Sequence, residues 1–230
     1  MRFAARAALT LTALLVATHT PNANAGPRAN PAPPAAGTSV AASAALISAA
    51  SKAGLRPEVL ALAVRAHSRA VAEGRTTQRI LTVIDYSRPS RERRLWVLDL
   101  ERATVLAREL VAHGKNTGED LARRFSNAQG SYQSSLGTFI TGETYQGKHG
   151  LSLRLNGIDG ALNGNAAARA IVMHGADYVN DAIVAQLGRL GRSEGCPALN
   201  PSVASHVIEL IRGGTVIFSY YPTPEPTPAV

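Results

Sequence analysis

The chain has 230 residues, of which 45% are hydrophobic and 17% charged, a balance that excludes a disordered protein and allows a substantial core. No apolar run approaches the roughly 18 residues that a membrane-spanning helix needs, so a polytopic membrane protein is excluded. The lone cysteine excludes an internal disulfide framework and any zinc site built on several cysteines, while the +8 net charge implies an anionic environment.

Residues Met1 to Ala25 read as a secretory signal. Arg2 and Arg6 give a positive start, Ala7 to Ala17 a short apolar stretch, and Ala23-Asn24-Ala25 the small-x-small cleavage pattern. Removing the segment takes away two arginines and no acid, which lowers the charge to +6. Nucleic acid is not an expected partner after export. The arginines are scattered, and the densest group, Arg91, Arg93 and Arg94, reads as a solvated loop. Proline then marks the ends of the folded region: five of the 13 lie at or before Pro34 and four from Pro222 onward. Residues 26–38 are expected to be a Pro/Ala linker, 222–230 a Pro-rich tail, and 39–221 one compact domain.

Within that domain, two helices are predicted first, Ser39–Ala53 ending at Gly54 and Glu58–Glu73 ending at Gly74, with Pro57 tolerated in a first turn. Strands follow at Arg79–Asp85, Arg94–Asp99 and Thr104–Ala112, separated by turn-rich segments such as Ser87-Arg88-Pro89-Ser90. The region from Gly114 to Asn165 is dense in Gly, Ser, Thr and Asn, with strand candidates at Thr138–Thr141 and Leu151–Leu155. Ile171–Met173 and Thr215–Tyr221 are further strands, and Tyr178–Leu187 and Pro201–Arg212 are helices. The expected fold is mostly β with flanking α-helices.

Cys196 organises the search for chemistry. It lies in Gly191-Arg192-Ser193-Glu194-Gly195-Cys196-Pro197-Ala198, where glycine permits close backbone approach and proline stiffens the exit. Read locally, this is a nucleophile with neighbouring N–H groups for an oxyanion, a structural thiol, or a partner in an intermolecular disulfide. A nucleophilic thiol needs a base. Of six histidines, His19 belongs to the signal, and His67 and His206 fall at ordinary positions on predicted helices. His113, His149 and His174 each precede a glycine, and His174 directly follows the apolar strand Ile171-Val172-Met173, where a positioned base belongs.

Taken together, Ile171-Val172-Met173-His174-Gly175-Ala176 and the Gly-Arg-Ser-x-Gly-Cys-Pro-Ala motif that ends at Ala198 resemble the L,D-transpeptidase (YkuD-like) catalytic domain family. Blocks upstream extend the resemblance over roughly residues 55–221: Val83-Ile84-Asp85-Tyr86-Ser87, Val111-Ala112-His113-Gly114, Phe125-Ser126-Asn127, Ser134-Ser135-Leu136-Gly137 and Tyr145-Gln146-Gly147-Lys148-His149-Gly150. The resemblance implies a cysteine-dependent acyltransferase acting on peptidoglycan stem peptides, exported to the periplasm or cell wall. Cys196 would attack the carbonyl of the third stem residue, release D-Ala and pass the acyl group to an amine of another stem, giving a 3→3 cross-link. Water as acceptor would make it an L,D-carboxypeptidase, and a non-catalytic peptidoglycan-binding module is a further alternative.

By the same resemblance His174 would be the base, the Gly175 carbonyl would orient it, and the N–H groups of Gly195 and Cys196 would form the oxyanion hole. Arg192, Ser193, Tyr145, His113 and His149 are candidate substrate-binding residues, and neither a metal nor an organic cofactor is implied. Two positions depart from the family's commoner pattern. Glu194 replaces a histidine, where a carboxylate aimed at the thiol would oppose thiolate formation, so it should turn to solvent or bind an acceptor amine. Ala198 replaces an arginine or asparagine, whose contribution must come from elsewhere, with Arg192 as the candidate.

Overall fold

A computed structural model describes residues 36–222, with side chains from residue 44 onward. The predicted signal, most of the linker and the tail beyond Pro222 lie outside the described residues. In chain order the described residues form α1 (Ala36–Lys52), α2 (Pro57–Ala72), β1 (Ile80–Asp85), β2 (Leu95–Asp99), β3 (Thr104–Glu109), β4 (Gly137–Gly147), β5 (Gly150–Gly157), α3 (Gly160–Asn163), β6 (Val172–Gly175), α4 (Asp181–Leu187), β7 (Ala198–Leu199), α5 (Pro201–Ile211) and β8 (Val216–Tyr220). The mostly-β expectation with flanking helices holds. The first helix starts at Ala36, three residues ahead of the predicted Ser39, and so shortens the linker.

The strands form one sheet in the order β3-β2-β1-β8-β4-β5-β6-β7. Most neighbours are antiparallel; β1 with β8 and β6 with β7 run parallel. Side-chain alternation divides the core between the two faces. Leu81, Val83, Trp96, Leu98 and Val216 pack beneath α1 and α2 with Leu46, Leu55, Val59 and Leu60. Ile84, Leu95, Val97, Leu153, Met173 and Ile217 pack on the opposite face against Val207, Ile208 and Ile211 of α5. Burial on both faces explains why β1 and β2 read as nearly continuous apolar runs. Each fully buried Val, Leu or Ile contributes roughly 2 kcal/mol.

α3 and β7 have no predicted counterpart, and three of the predicted elements shift in ways that bear on the site. β4 continues to Gly147, well past the expected Thr141, and crosses an irregularity between Thr141 and Thr144 before turning into β5. The third strand ends at Glu109, and Leu110–Ala112 leave it to run toward the β7 edge, where the Ala112 N–H donates to the Ala198 carbonyl at 2.9 Å. α4 begins three residues later than Tyr178, because Asn180 caps it by accepting from the Ile183 N–H at 2.8 Å.

The path from β5 to β6 decides where the site forms, and Asn163 pins it. This fully buried side chain donates to the carbonyls of Leu136 at 3.0 Å and Thr138 at 2.9 Å, and accepts from the Asp159 N–H at 2.8 Å. An Asn163→Ala variant leaves the Leu136 carbonyl and the Asp159 N–H without partners, while the Thr138 carbonyl keeps the Ile158 N–H at 3.0 Å. Its unfolding free energy in urea should fall by about 3 kcal/mol; a loss below about 1 kcal/mol would show that the α3 turn holds without this side chain.

Candidate active site

The parallel pairing of β6 and β7 brings the two sequence blocks together. His174 lies opposite Ala198 and Gly175 opposite Leu199, so the chain before Ala198 runs beside the start of β6. Cys196 thereby comes to lie against Val172, whose N–H points at Sγ from 3.5 Å. The Ala170 carbonyl is the other contact, at 3.9 Å from Sγ. His174 follows Val172 by two residues, on the same face of the strand. Cys196, His174 and Val172 all line one cavity of about 880 Å³.

The imidazole is oriented from behind. His174 Nδ1 lies 2.8 Å from the Gly175 carbonyl oxygen, which can only accept, so Nδ1 carries the proton and Nε2 keeps its lone pair. Among the described residues no hydrogen bond joins His174 to Cys196, and such contacts tighten when substrate arrives. Burial holds the His174 pKa below its ordinary value, reinforced by His149 and Lys148 and opposed by the Gly175 contact. Burial likewise raises the Cys196 thiol, with Glu194 adding to the rise and the Val172 N–H and Arg169 opposing it. The resting pair is therefore a neutral thiol beside a neutral imidazole.

The cysteine loop is braced internally by Ser193. Its hydroxyl donates to the Cys196 carbonyl at 2.6 Å and accepts from the Gly195 N–H at 3.1 Å. The expected pair of oxyanion donors is corrected accordingly: the Gly195 N–H is already committed, because a hydroxyl two residues earlier reaches back to it. The Cys196 N–H has no hydrogen-bond partner among the described residues. Gly195 itself sits at φ +124°, and a Cβ there would lie 2.9 Å from the Gln133 carbonyl oxygen, so only glycine fits.

The remaining candidates separate into two groups. His149 stacks on His174 with ring centroids 4.5 Å apart, and Tyr145 lines the same cavity beneath the Arg154 guanidinium. Arg192 also reaches the cavity, but its guanidinium is bound to Glu119 at 2.6 Å and to the Lys115 and Gly118 carbonyls at 3.2 Å. Ser193 is buried in the loop brace just described. His113 is buried and does not line the cavity. It accepts from the buried Arg94 through Nδ1 at 2.7 Å, which leaves Nε2–H facing the Gly118 carbonyl at 3.3 Å. Substrate binding is thus the wrong reading for His113, whose surroundings make it a neutral structural link. Glu194 turns away from the thiol to the Lys115 ammonium, 3.0 Å away, which also lies 3.9 Å from the Tyr132 ring centroid.

Several lining residues escaped the sequence reading, among them Lys115, Tyr132, Lys148 and Arg169. Lys148 adjoins His149 in the β4–β5 turn, and the unusual density of polar residues there is the one available signal. Nothing in the Ala/Asn-rich stretch around Arg169 marks that residue.

The sequence profile of the L,D-transpeptidase catalytic domain matches residues 51–220. The chain belongs to that family. Members of the L,D-transpeptidase catalytic domain family are cysteine-dependent acyltransferases. No curated protein matches the chain. Similar solved structures include an L,D-transpeptidase from Mycobacterium smegmatis, 15% identical over 62% of this chain and 59% of that one, with a TM-score of 0.40. Others are the helical cell shape determining protein Pgp2 from Campylobacter jejuni (10% identical, 66% and 54% covered, TM-score 0.42) and Mycobacterium tuberculosis L,D-transpeptidase 1 (13%, 62% and 62%, 0.35). The chain spans about three-fifths of the length of the first of these structures.

The environment of His113 has a consequence for stability. Burial first, and then the Arg94 charge, push its pKa down from 6.5 to about 3. The unfolded chain takes up a proton as pH falls through 6.5, and the native state refuses it until about 3. Stability is therefore fully present above 6.5 and declines below it, by up to about 1.4 kcal/mol per pH unit for this one group. A His113→Asn variant should show a shallower decline in unfolding free energy between pH 6.5 and about 5, above the carboxylate range. Equal slopes in the two proteins would remove His113 as a source of the dependence.

Proposed function

We propose that this protein is a peptidoglycan L,D-transpeptidase acting outside the cytoplasm, in the periplasm or cell wall, with Cys196 as nucleophile and His174 as base. The observation that carries the reading is the meeting of His174 and Cys196 in one cavity, within the span matched by the family. In acylation, Sγ bonds to the carbonyl carbon of the third stem residue while the thiol proton passes to His174 Nε2. The developing oxyanion accepts from the Cys196 N–H. Collapse breaks the carbon–nitrogen bond, and His174 returns the proton to the departing D-Ala amine, leaving a thioester. An amine of a second stem then attacks the thioester and loses its proton to His174. The cysteine leaves and is reprotonated, and the product is a 3→3 cross-link.

Physical features support each part. The Gly175 carbonyl keeps the proton on Nδ1, so Nε2 is the available base. An oxyanion donor of this kind contributes about 3 kcal/mol to transition-state stabilisation. With Lys115 paired to Glu194 and Arg192 to Glu119, the cavity lining keeps Lys148 and Arg169 as an excess of cations suited to a stem peptide with free carboxylates. Tyr145 and His149 offer flat surfaces for the donor stem. No step calls for a metal or organic cofactor.

The deciding experiment incubates the protein with disaccharide-tetrapeptide beside a Cys196→Ala control and reads the products by mass spectrometry. Loss of D-Ala with a dimer, both absent from the control, is the expected outcome. Loss of D-Ala without a dimer would assign a carboxypeptidase, and an unchanged tetrapeptide from folded protein would point to a binding module. The pH dependence of D-Ala release supplies an independent check. Because His174 is held below the ordinary histidine range, the acidic limb should be centred below 6.5. A limb centred above 6.5 would exclude His174 as the base.

A further inference from the structure

Arg169 is not part of any ion pair among the described residues. Both of its terminal nitrogens are nevertheless engaged. Nη1 donates to the Ser126 carbonyl at 2.7 Å and to Ser135 Oγ at 2.5 Å, and Nη2 to Ser131 Oγ at 3.1 Å and the Gln133 carbonyl at 2.6 Å. All four partners are neutral, so they fix the group without cancelling its charge. The same Nη2 lies against the cysteine loop, 3.3 Å from where a Gly195 Cβ would stand. Arg169 also precedes Ala170, whose carbonyl contacts the thiol.

A partly buried cation held only by neutral acceptors keeps its charge available to an anion that forms beside it. The group able to become that anion is the Cys196 thiol, which follows Gly195 and lines the same cavity as Arg169. Arg192, the other arginine in the cavity, is already neutralised by Glu119. Ala198 offers no charge of its own.

We propose that Arg169 is the positioning residue of the nucleophile: its fixed guanidinium stabilises the Cys196 thiolate and fastens residues 126–135 as a wall of the substrate groove. The inference rests on Cys196 being the nucleophile, but its electrostatic half can be read without any substrate. Arg169 thus takes over the place that the cysteine's own motif leaves empty at Ala198.

Other charges facing the thiol must be held constant in the test. Glu194 lies in the cysteine loop itself, its carboxylate turned to Lys115, and Tyr178 lines the cavity from the segment after β6. Tyr86 lies beneath the loop, and His174 lines the same cavity from β6. None of these is altered by substitution at Arg169.

The experiment measures iodoacetamide alkylation of Cys196, the only cysteine, against pH in the full chain and in Arg169→Gln and Arg169→Lys variants. Glutamine keeps part of the hydrogen bonding without the charge, whereas lysine keeps the charge without the planar fork. The alkylation midpoint should rise by about one pH unit in Arg169→Gln and by less than about half a unit in Arg169→Lys. Amide exchange across residues 126–135 should accelerate in both. A structural role alone would accelerate exchange and leave both midpoints at the wild-type value, which would overturn the proposal. Equal rises in the two variants would overturn it as well. If Arg169→Gln does not fold, Arg169→Lys decides, since a rise of a full unit despite the retained charge contradicts the assignment. D-Ala release by the wild type is measured in parallel. An Arg169-dependent midpoint with no D-Ala release would sink the transpeptidase reading and leave the Arg169–Cys196 coupling standing.

Discussion

The site depends on the parallel register between β6 and β7. β7 has two residues and β6 four, so very few ladder positions align the cysteine with the histidine. A slip of one residue would turn His174 to the opposite face of its strand and leave the thiol beside a different side chain. Contacts around the pair keep that from happening. The Ala176 N–H donates to the Leu199 carbonyl at 2.8 Å, and the Ala112 N–H to the Ala198 carbonyl at 2.9 Å. On the other side, β6 pairs with β5 through Met173 opposite Leu153. Gly175 lets α5 start directly above, since a Cβ there would sit 3.3 Å from the Pro201 Cα. The register is thus enforced by what surrounds it more than by its own length.

A second line of support runs beneath the cysteine loop through polar groups. Arg94 is fully buried, and burial lowers its pKa to about 10, which still leaves it cationic at neutral pH. It donates to the Val111 carbonyl at 2.9 and 3.1 Å and to the Arg88 carbonyl at 2.8 Å, as well as contacting His113. The His113 carbonyl in turn accepts from the Ser193 N–H at 2.9 Å, and Ser193 braces Cys196. A buried charge at the start of β2 therefore reaches the nucleophile through two intervening residues. The arrangement makes use of main-chain carbonyls where a carboxylate might have been expected. It fixes geometry without placing an anion near a thiol that must ionise.

Much of this was legible in the sequence, for definable reasons. β1, β2, β6 and β8 announce themselves because burial on both faces leaves little room for polar residues, and α2 and α5 because proline opens each of them. The far half of β4 was missed because Gly142, Glu143, Gln146 and Gly147 carry no apolar alternation, and its pairing with β5 alone holds it extended. Two residues flanked by Pro197 and Pro201 give β7 no sequence signature at all. At the site, Cys196 and His174 follow from motif and strand end, whereas His113 shows how a motif block can mark a structural residue. The committed Gly195 N–H could not be foreseen, because it depends on which way the Ser193 hydroxyl points. Arg169 was illegible for a stronger reason. It is separated from the cysteine by a helix and a strand, and only the folded chain puts its charge beside the thiol.

The electrostatics of the site form a consistent whole. Burial disfavours both the thiolate and the imidazolium, so the resting state stores no ion pair. In the proposed acyl transfer, charge develops on imidazole and on the carbonyl oxygen only as the substrate is attacked. The groups proposed to meet that charge are already in position: the Val172 N–H at the sulfur, the Gly175 carbonyl behind the imidazole, and the Cys196 N–H of the braced loop, unpaired among the described residues. Each is a main-chain dipole fixed by the strands or by the braced loop, so none has to reorganise when the reaction occurs. A preformed ion pair would bind well in the ground state and gain less on reaching the transition state. A neutral pair flanked by fixed donors would favour the charged transition state over the resting enzyme, which is the difference that the proposed acyl transfer requires.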